Sequence, residues 1–217
     1  MVRHLILLSI SLGFFTVSFS QLNYGIKAGI SQSFIQETPE FHGMDISLQT
    51  GYQIGFFLEK AITNKLILRP SLQLTQKGYR SVLGNPGGPF YWSRDLLTTY
   101  IELPLDVLRK FAFNNSSSIS LGTGPVIGYG IKGRMKAAVV ATDSNQQLHT
   151  QFSTDDKIFK NDLDHRFDAG WNFVISVQSC RLLFNASYNH GITNVIKGDN
   201  QSLKNRSLAF AVGYLLH

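Results

Sequence analysis

The chain has 217 residues, a net charge of +6 and one cysteine, Cys180. A single cysteine excludes an internal disulfide and a paired-Cys zinc site, and the basic residues are scattered rather than gathered into the stripe that nucleic acid requires. With 43% hydrophobic residues and a mean hydropathy of −0.01, the composition would suit a soluble protein. It suits a membrane β-barrel equally, because lipid-facing and lumen-facing positions alternate and average out.

The one continuous apolar segment runs from Leu5 to Phe19, after Arg3 and His4. It falls short of the roughly twenty residues a spanning helix needs. Its basic start and small-residue end, Ser18-Phe19-Ser20, match an export signal cleaved before Gln21. Residues 1–20 are therefore expected to be a signal peptide and residues 21–217 one barrel domain.

A two-residue period then recurs, with large apolar side chains on one face and Gly, Ser, Asn, Gln or charges on the other. The first strand covers Asn23 to Phe34 and the second Ile46 to Glu59. The third runs from Lys65 to Tyr79, followed by Gly84-Asn85-Pro86-Gly87-Gly88-Pro89, which reads as loop. Strands follow at Thr98–Arg109 and Ser117–Arg134, then a polar connection over Met135 to Asp164. His165–Gln178 and Arg181–Gly191 are the sixth and seventh strands. The last, Ser207 to His217, sets Leu208, Phe210, Val212, Tyr214 and Leu216 against Ala209, Ala211 and Gly213. Eight such strands behind an export signal predict an all-β fold, an eight-stranded antiparallel up-and-down transmembrane β-barrel.

Connections after odd strands are long and those after even strands tight, as in outer-membrane barrels with short periplasmic turns. That places both termini in the periplasm and the segments Gln36–Asp45, Arg80–Leu97 and Met135–Asp164 outside. The glycines decide which face is inward. Gly25, Gly29, Gly55, Gly122, Gly124, Gly128 and Gly213 all share the polar face. A narrow eight-stranded interior needs small residues, whereas a solvated surface would only lose backbone entropy to them.

The inward charges are then Lys27, Glu59, Lys65, Arg69, Lys77, Glu102, Asp106, Lys132, Arg166, Asp168 and Arg181. Buried charges need partners, so Glu102 and Asp106 are expected to pair with Lys65, Arg69 or Lys77. Two uses of such a lumen stay open: a salt-bridged plug, or a narrow polar pore for small solutes. Glu102 and Asp106 lie about 13 Å apart along one strand face, too far for paired-carboxylate glycoside hydrolysis. No serine sits in a nucleophile elbow. The acidic run Asp155 to Asp164 lacks a calcium-loop order and carries lysines. No catalytic, metal or cofactor site is expected, and the chain is read as a non-enzyme.

Tyr24-Gly25-Ile26-Lys27-Ala28-Gly29, the strand Tyr100-Ile101-Glu102-Leu103-Pro104-Leu105 and the closing Gly213-Tyr214-Leu215-Leu216 resemble the PorT-like outer-membrane β-barrel family. That resemblance implies a small barrel in the bacterial outer membrane and a link to protein secretion, without carrying any functional residue across. The expected partners are outer-membrane lipid, lipopolysaccharide, and envelope or secretion proteins, with a structural or surface-interaction role; nucleic acid is not expected.

Overall fold

Side-chain alternation becomes strand after strand in the computed structural model, which describes residues 22–38, 44–84, 90–114, 116–142, 148–158, 166–194 and 202–216. The expected signal peptide lies outside the described residues. The strands are β1 (Leu22–Thr38), β2 (Met44–Ala61), β3 (Leu66–Gly84), β4 (Phe90–Ala112), β5 (Ser117–Thr142), β6 (Leu148–Ile158), β7 (Phe167–Ser179), β8 (Leu182–Asn194) and β9 (Ser202–Leu215). Every pairing is antiparallel. Eight strands close a ring, β1-β2-β3-β4-β5-β7-β8-β9 and back to β1. Closure matters because lipid offers no partner for an open sheet edge.

The ninth strand, β6, stands outside that ring. The first half of β5 pairs with β7 over Ser117–Tyr129, and its far half, Gly133–Thr142, pairs with β6 instead. The segment 135–164, expected to be a polar connection, therefore holds the end of β5 and all of β6. Likewise β3 and β4 stay paired through Gly84 and Tyr91, so most of 80–97 is hairpin rather than loop. These stretches mix apolar residues, such as Phe90-Tyr91-Trp92 and Ala137-Ala138-Val139, with charges and lack the regular alternation of the ring.

Within the ring the two faces separate sharply. Ile26, Ile30, Ile54, Leu72, Leu103, Leu105, Ile127, Ile175, Phe210 and Val212 are exposed on the outer face. Lys27, Ser31, Gln53, Gln73, Glu102, Asn172 and Ser207 are buried on the other. Outward aromatics pair across strands, with Tyr24 and Phe56 centroids 6.3 Å apart and Phe173 and Tyr188 6.5 Å apart.

Three tight turns lie at the end that carries the termini. In the β2–β3 turn, Thr63 Oγ1 accepts from the backbone amides of Lys65 and Leu66 at 3.2 and 3.0 Å. In the β4–β5 turn, Asn114 Oδ1 accepts from the Ser116 amide at 2.9 Å. The β7–β8 turn holds Cys180 at φ 53°, a left-handed conformation that favours glycine.

Candidate functional site in the barrel interior

The interior is layered along the barrel. Near the turn end, Phe57, Leu183 and Leu215 form one buried apolar cluster and Ile67, Leu108 and Val174 another. Phe57 fits because its neighbours are glycines: a Cβ at Gly25 would lie 2.6 Å from Phe57 Cζ. Towards the loop end, Ile35, Tyr79, Leu96 and Leu203 cluster, with Met135 packed against them. Between these apolar layers sit the charges.

Two networks dominate. Arg69 donates through Nε to Glu59 Oε1 at 2.8 Å and through Nη1 to Ser176 Oγ at 2.7 Å, with its Nη2 2.5 Å from the same carboxylate oxygen. Asn185 Oδ1 accepts from Ser176 Oγ at 2.8 Å, and the guanidinium lies 5.7 Å from the centroid of the Phe57 ring. One layer on, Lys77 Nζ lies 2.5 Å from Glu102 and 3.3 Å from Asp168, beside the Tyr100 ring at 5.6 Å. Register explains the pair of carboxylates: Glu102 opposes Gly128, and Gly128 opposes Asp168. A glycine between them leaves both acids free to converge on one ammonium. Glu102 also accepts from Gln73 Nε2 at 2.9 Å, and Asp168 from Asn205 Nδ2 at 3.0 Å and Thr193 Oγ1 at 3.1 Å.

Of the eleven charges expected inside, Lys27, Glu59, Arg69, Lys77, Glu102, Asp106 and Asp168 are buried. Glu102 takes Lys77 as its partner, while Asp106 accepts instead from Asn172 Nδ2 at 2.9 Å, and Arg69 turns to Glu59. Four expectations are corrected. Lys65 sits exposed in the β2–β3 turn and Arg181 exposed in the β7–β8 turn, where alternation no longer fixes direction. Arg166 is exposed just before β7 begins. Lys132 is exposed because a register shift lies beside it: Tyr100 opposes Gly130 but Thr99 opposes Lys132, so Ile131 is an extra residue that reverses the phase.

Arg206 was not foreseen. It is buried, donates to the Gly191 carbonyl and, through Nη2, to Gln36 Oε1 at 2.7 Å. It opposes the exposed Phe34 on β1 and His190 on β8, so it stays on the outer face as alternation from Leu208 places it, and its contacts with Gly191 and Gln36 beside the irregular stretch of β8 between His190 and Asn194 cover it there. On the lumen side the described residues bury three cations, Lys27, Arg69 and Lys77, and four anions, Glu59, Glu102, Asp106 and Asp168. On the β1–β3 wall, Gln53 Oε1, Ser71 Oγ and Gln73 Oε1 lack hydrogen-bond partners among the described residues. Lys27 opposes Gly55, which opposes Gln73, while Gln53 opposes Thr75 and Phe57 opposes Ser71; these polar groups therefore surround Gly55.

Each buried carboxylate is held by a cation or an amide: Glu59 by Arg69, Glu102 and Asp168 by Lys77, and Asp106 by Asn172. The described residues hold no group of three or more potential metal ligands. A closed antiparallel ring with an oily outside and a polar, hydrogen-bonded inside is the transmembrane β-barrel class. The chain belongs to the outer membrane protein beta-barrel domain family, whose model matches residues 17–197, and so to the bacterial outer membrane. No curated protein sequence matches it. Among solved structures it is similar to Ail, the attachment invasion locus protein of Yersinia pestis, at 14% identity over 90% of this chain and 99% of that one, with a TM-score of 0.42. Neisserial surface protein A is similar at 13% identity, 90% and 99% coverage and TM-score 0.45. OprG from Pseudomonas aeruginosa is similar at 12%, 90%, 94% and 0.42. Likeness at this level says nothing about what the chain binds.

Proposed function

We propose that the protein is a non-enzymatic outer-membrane barrel with a closed lumen, both termini in the periplasm, and a loop end that presents extended hairpins to surface partners. The observation that carries this reading is the layering of the interior, in which apolar clusters bracket the ion-paired and hydrogen-bonded residues Arg69, Glu59, Lys77, Glu102 and Asp168. An interior of eight strands is filled by side chains, and charges already paired with one another leave an ion few partners. Binding on such proteins falls to segments held by the rigid scaffold, and the β5–β6 hairpin extends that scaffold past the ring. Lipopolysaccharide and envelope proteins are the partners such a surface would meet.

Planar-bilayer recording of the refolded protein tests the reading. Closure predicts no steady channels; stable conductance that changes with Lys27→Gln, Arg69→Gln or Glu102→Gln contradicts it. A narrow pore remains the second reading, favoured by the unpartnered polar atoms around Gly55, which suit water. The PorT-like motif supports a third element, accessory service in secretion. In it, Tyr100, Glu102 and Pro104 are buried while Ile101, Leu103 and Leu105 are exposed on the outer face, so its local role is to build the wall. Pull-down with a tagged loop should recover secretion proteins if that service is performed.

A further inference from the structure

The turn end is unlike the loop end in charge. Lys60, Lys65, Arg109, Lys110 and Arg181 ring it, each exposed or half-buried, and none makes an ion pair among the described residues. The described stretches at this end, 22–23, 60–66, 109–117, 178–182 and 215–216, contain no Asp or Glu. The loop end instead mixes Asp45 and Asp95 with its cations, and Arg80 Nε lies 3.3 Å from Asp95 there. Beside the basic ring stand oily turn residues: Ile62, Phe111 and Phe113 are exposed, the last at 70%. Cations interleaved with exposed apolar side chains fit the level of phospholipid headgroups, where anionic lipid attracts Lys and Arg.

A groove crosses the lipid-facing wall above this rim. It encloses about 610 Å³ and is lined by Ile26, Ala28, Ile54, Phe56, Val212 and Tyr214, among others. It crosses the β1–β9 seam on its way from Leu182 on β8 to Ile101 on β4, and at the seam the small side chain of Ala28 stands between the larger Ile54 and Val212 that oppose it on β2 and β9. The rim cations flank that seam. Lys60 opposes Leu22 at the foot of β1, and the Arg181 carbonyl accepts from the Leu215 amide at the foot of β9 at 2.8 Å. Four adjacent strands, β2-β1-β9-β8, thus carry a cation at each side and an apolar channel between. Three strand spacings, about 14 Å, and a stagger of three residues, about 10 Å, separate the two backbones by about 17 Å, a gap that two long basic side chains span from either side of one headgroup.

We propose that this seam binds an anionic glycerophospholipid, with an acyl chain in the groove past Ala28 and its phosphate held between Lys60 and Arg181. The occupant follows from charge complementarity: the groove takes hydrocarbon, and a basic rim with no Asp or Glu among the described residues takes a phosphodiester. With the turns in the periplasm, the lipid belongs to the inner leaflet of the outer membrane. The site depends on the barrel spanning a bilayer and not on a closed lumen, so a conducting barrel would leave it standing.

Native mass spectrometry of the full chain, refolded in detergent and given phosphatidylglycerol and phosphatidylcholine of identical chains, tests it. The wild type is expected to retain phosphatidylglycerol in preference by roughly tenfold or more, given two cations at the headgroup. Lys60→Gln with Arg181→Gln should abolish the preference, while Lys132→Gln with Lys136→Gln at the loop end should preserve it. Ala28→Phe, which keeps every charge and adds only an oily side chain to an oily face, should lower retention of phosphatidylglycerol at least several-fold. Equal retention of the two lipids by the wild type, a preference that survives the Lys60/Arg181 pair, or retention unchanged in Ala28→Phe would each overturn the proposal. So would absence of lipid preference together with salt-sensitive binding of a polyglutamate peptide, which would assign the rim to an acidic protein.

Discussion

Lys77 is the cation on which the upper half of the interior network converges, and its removal gives the sharpest energetic test. Its side chain is 2% exposed, and it faces Glu102 at 2.5 Å and Asp168 at 3.3 Å. Lys77→Met keeps the aliphatic stem beside Tyr100 but leaves two carboxylates in a narrow interior without their ammonium. Breaking a buried pair from one side costs about 3–5 kcal/mol, chiefly because the stranded charge stays desolvated. The two acids are not stranded equally. Asp168 retains donors from Asn205 and Thr193, whereas Glu102 retains only Gln73 Nε2. Adding Glu102→Gln should therefore recover at least about 1–2 kcal/mol of the loss, since it removes the acid with fewer remaining donors. Urea titration of the refolded protein in micelles, followed by tryptophan fluorescence and by the mobility difference between folded and heated protein, reads both values. A loss below about 1 kcal/mol in Lys77→Met, or a double variant less stable than the single, would refute a charge network held by mutual burial.

Phe57 is fully buried among Leu183, Leu215 and the glycine at 25, so Phe57→Ala should cost about 3–5 kcal/mol in the same titration. Depth should matter more than exposure on the outer face. Leu105→Arg, in the middle of the β4 wall, is expected to cost about 2–4 kcal/mol, and Ile62→Arg, in a turn at the interface, about 0–1, although Ile62 is no less exposed (55% against 44%). Cys180→Gly should stabilise by about 0.5–1 kcal/mol by relieving a left-handed backbone, visible as a higher urea midpoint with an unchanged slope.

The ring and its inside-out polarity were legible because period-two alternation and the placement of glycine report on the same geometry. Gly128, Gly124 and Gly25 mark the crowded side whether or not register is known. Where a strand ran straight, inward charges were assigned correctly, as at Arg69, Lys77, Glu102 and Asp168. Assignment failed where the phase breaks. Ile131 inserts one residue and turns Lys132 outward, and Lys65 and Arg181 sit in turns. Partner choice was equally hidden, because whether Asp106 meets Arg69 or Asn172 depends on which side chains reach across the lumen. One signal was available and passed over. Apolar doublets beside the tight turns, Phe56-Phe57, Ile67-Leu68, Val107-Leu108 and Leu182-Leu183, break the alternation because both faces are oily there. They foretell the apolar clusters of the turn end. The paired ends of β3 and β4 were read as loop because Phe90-Tyr91-Trp92 and Leu96-Leu97 run apolar residues together without alternation, and β6 because Leu148, Phe152 and Ile158 are its few large apolar residues.

Every functional statement depends on which face meets hydrocarbon, and Trp171 reports on it directly. It lies on the outer face of β7 and is 45% exposed. In Trp92→Phe, which leaves Trp171 as the one tryptophan of the chain, fluorescence in bilayers of brominated phospholipid should be quenched strongly and should be shielded from aqueous iodide. Strong quenching by iodide with no effect of the brominated chains would contradict the account.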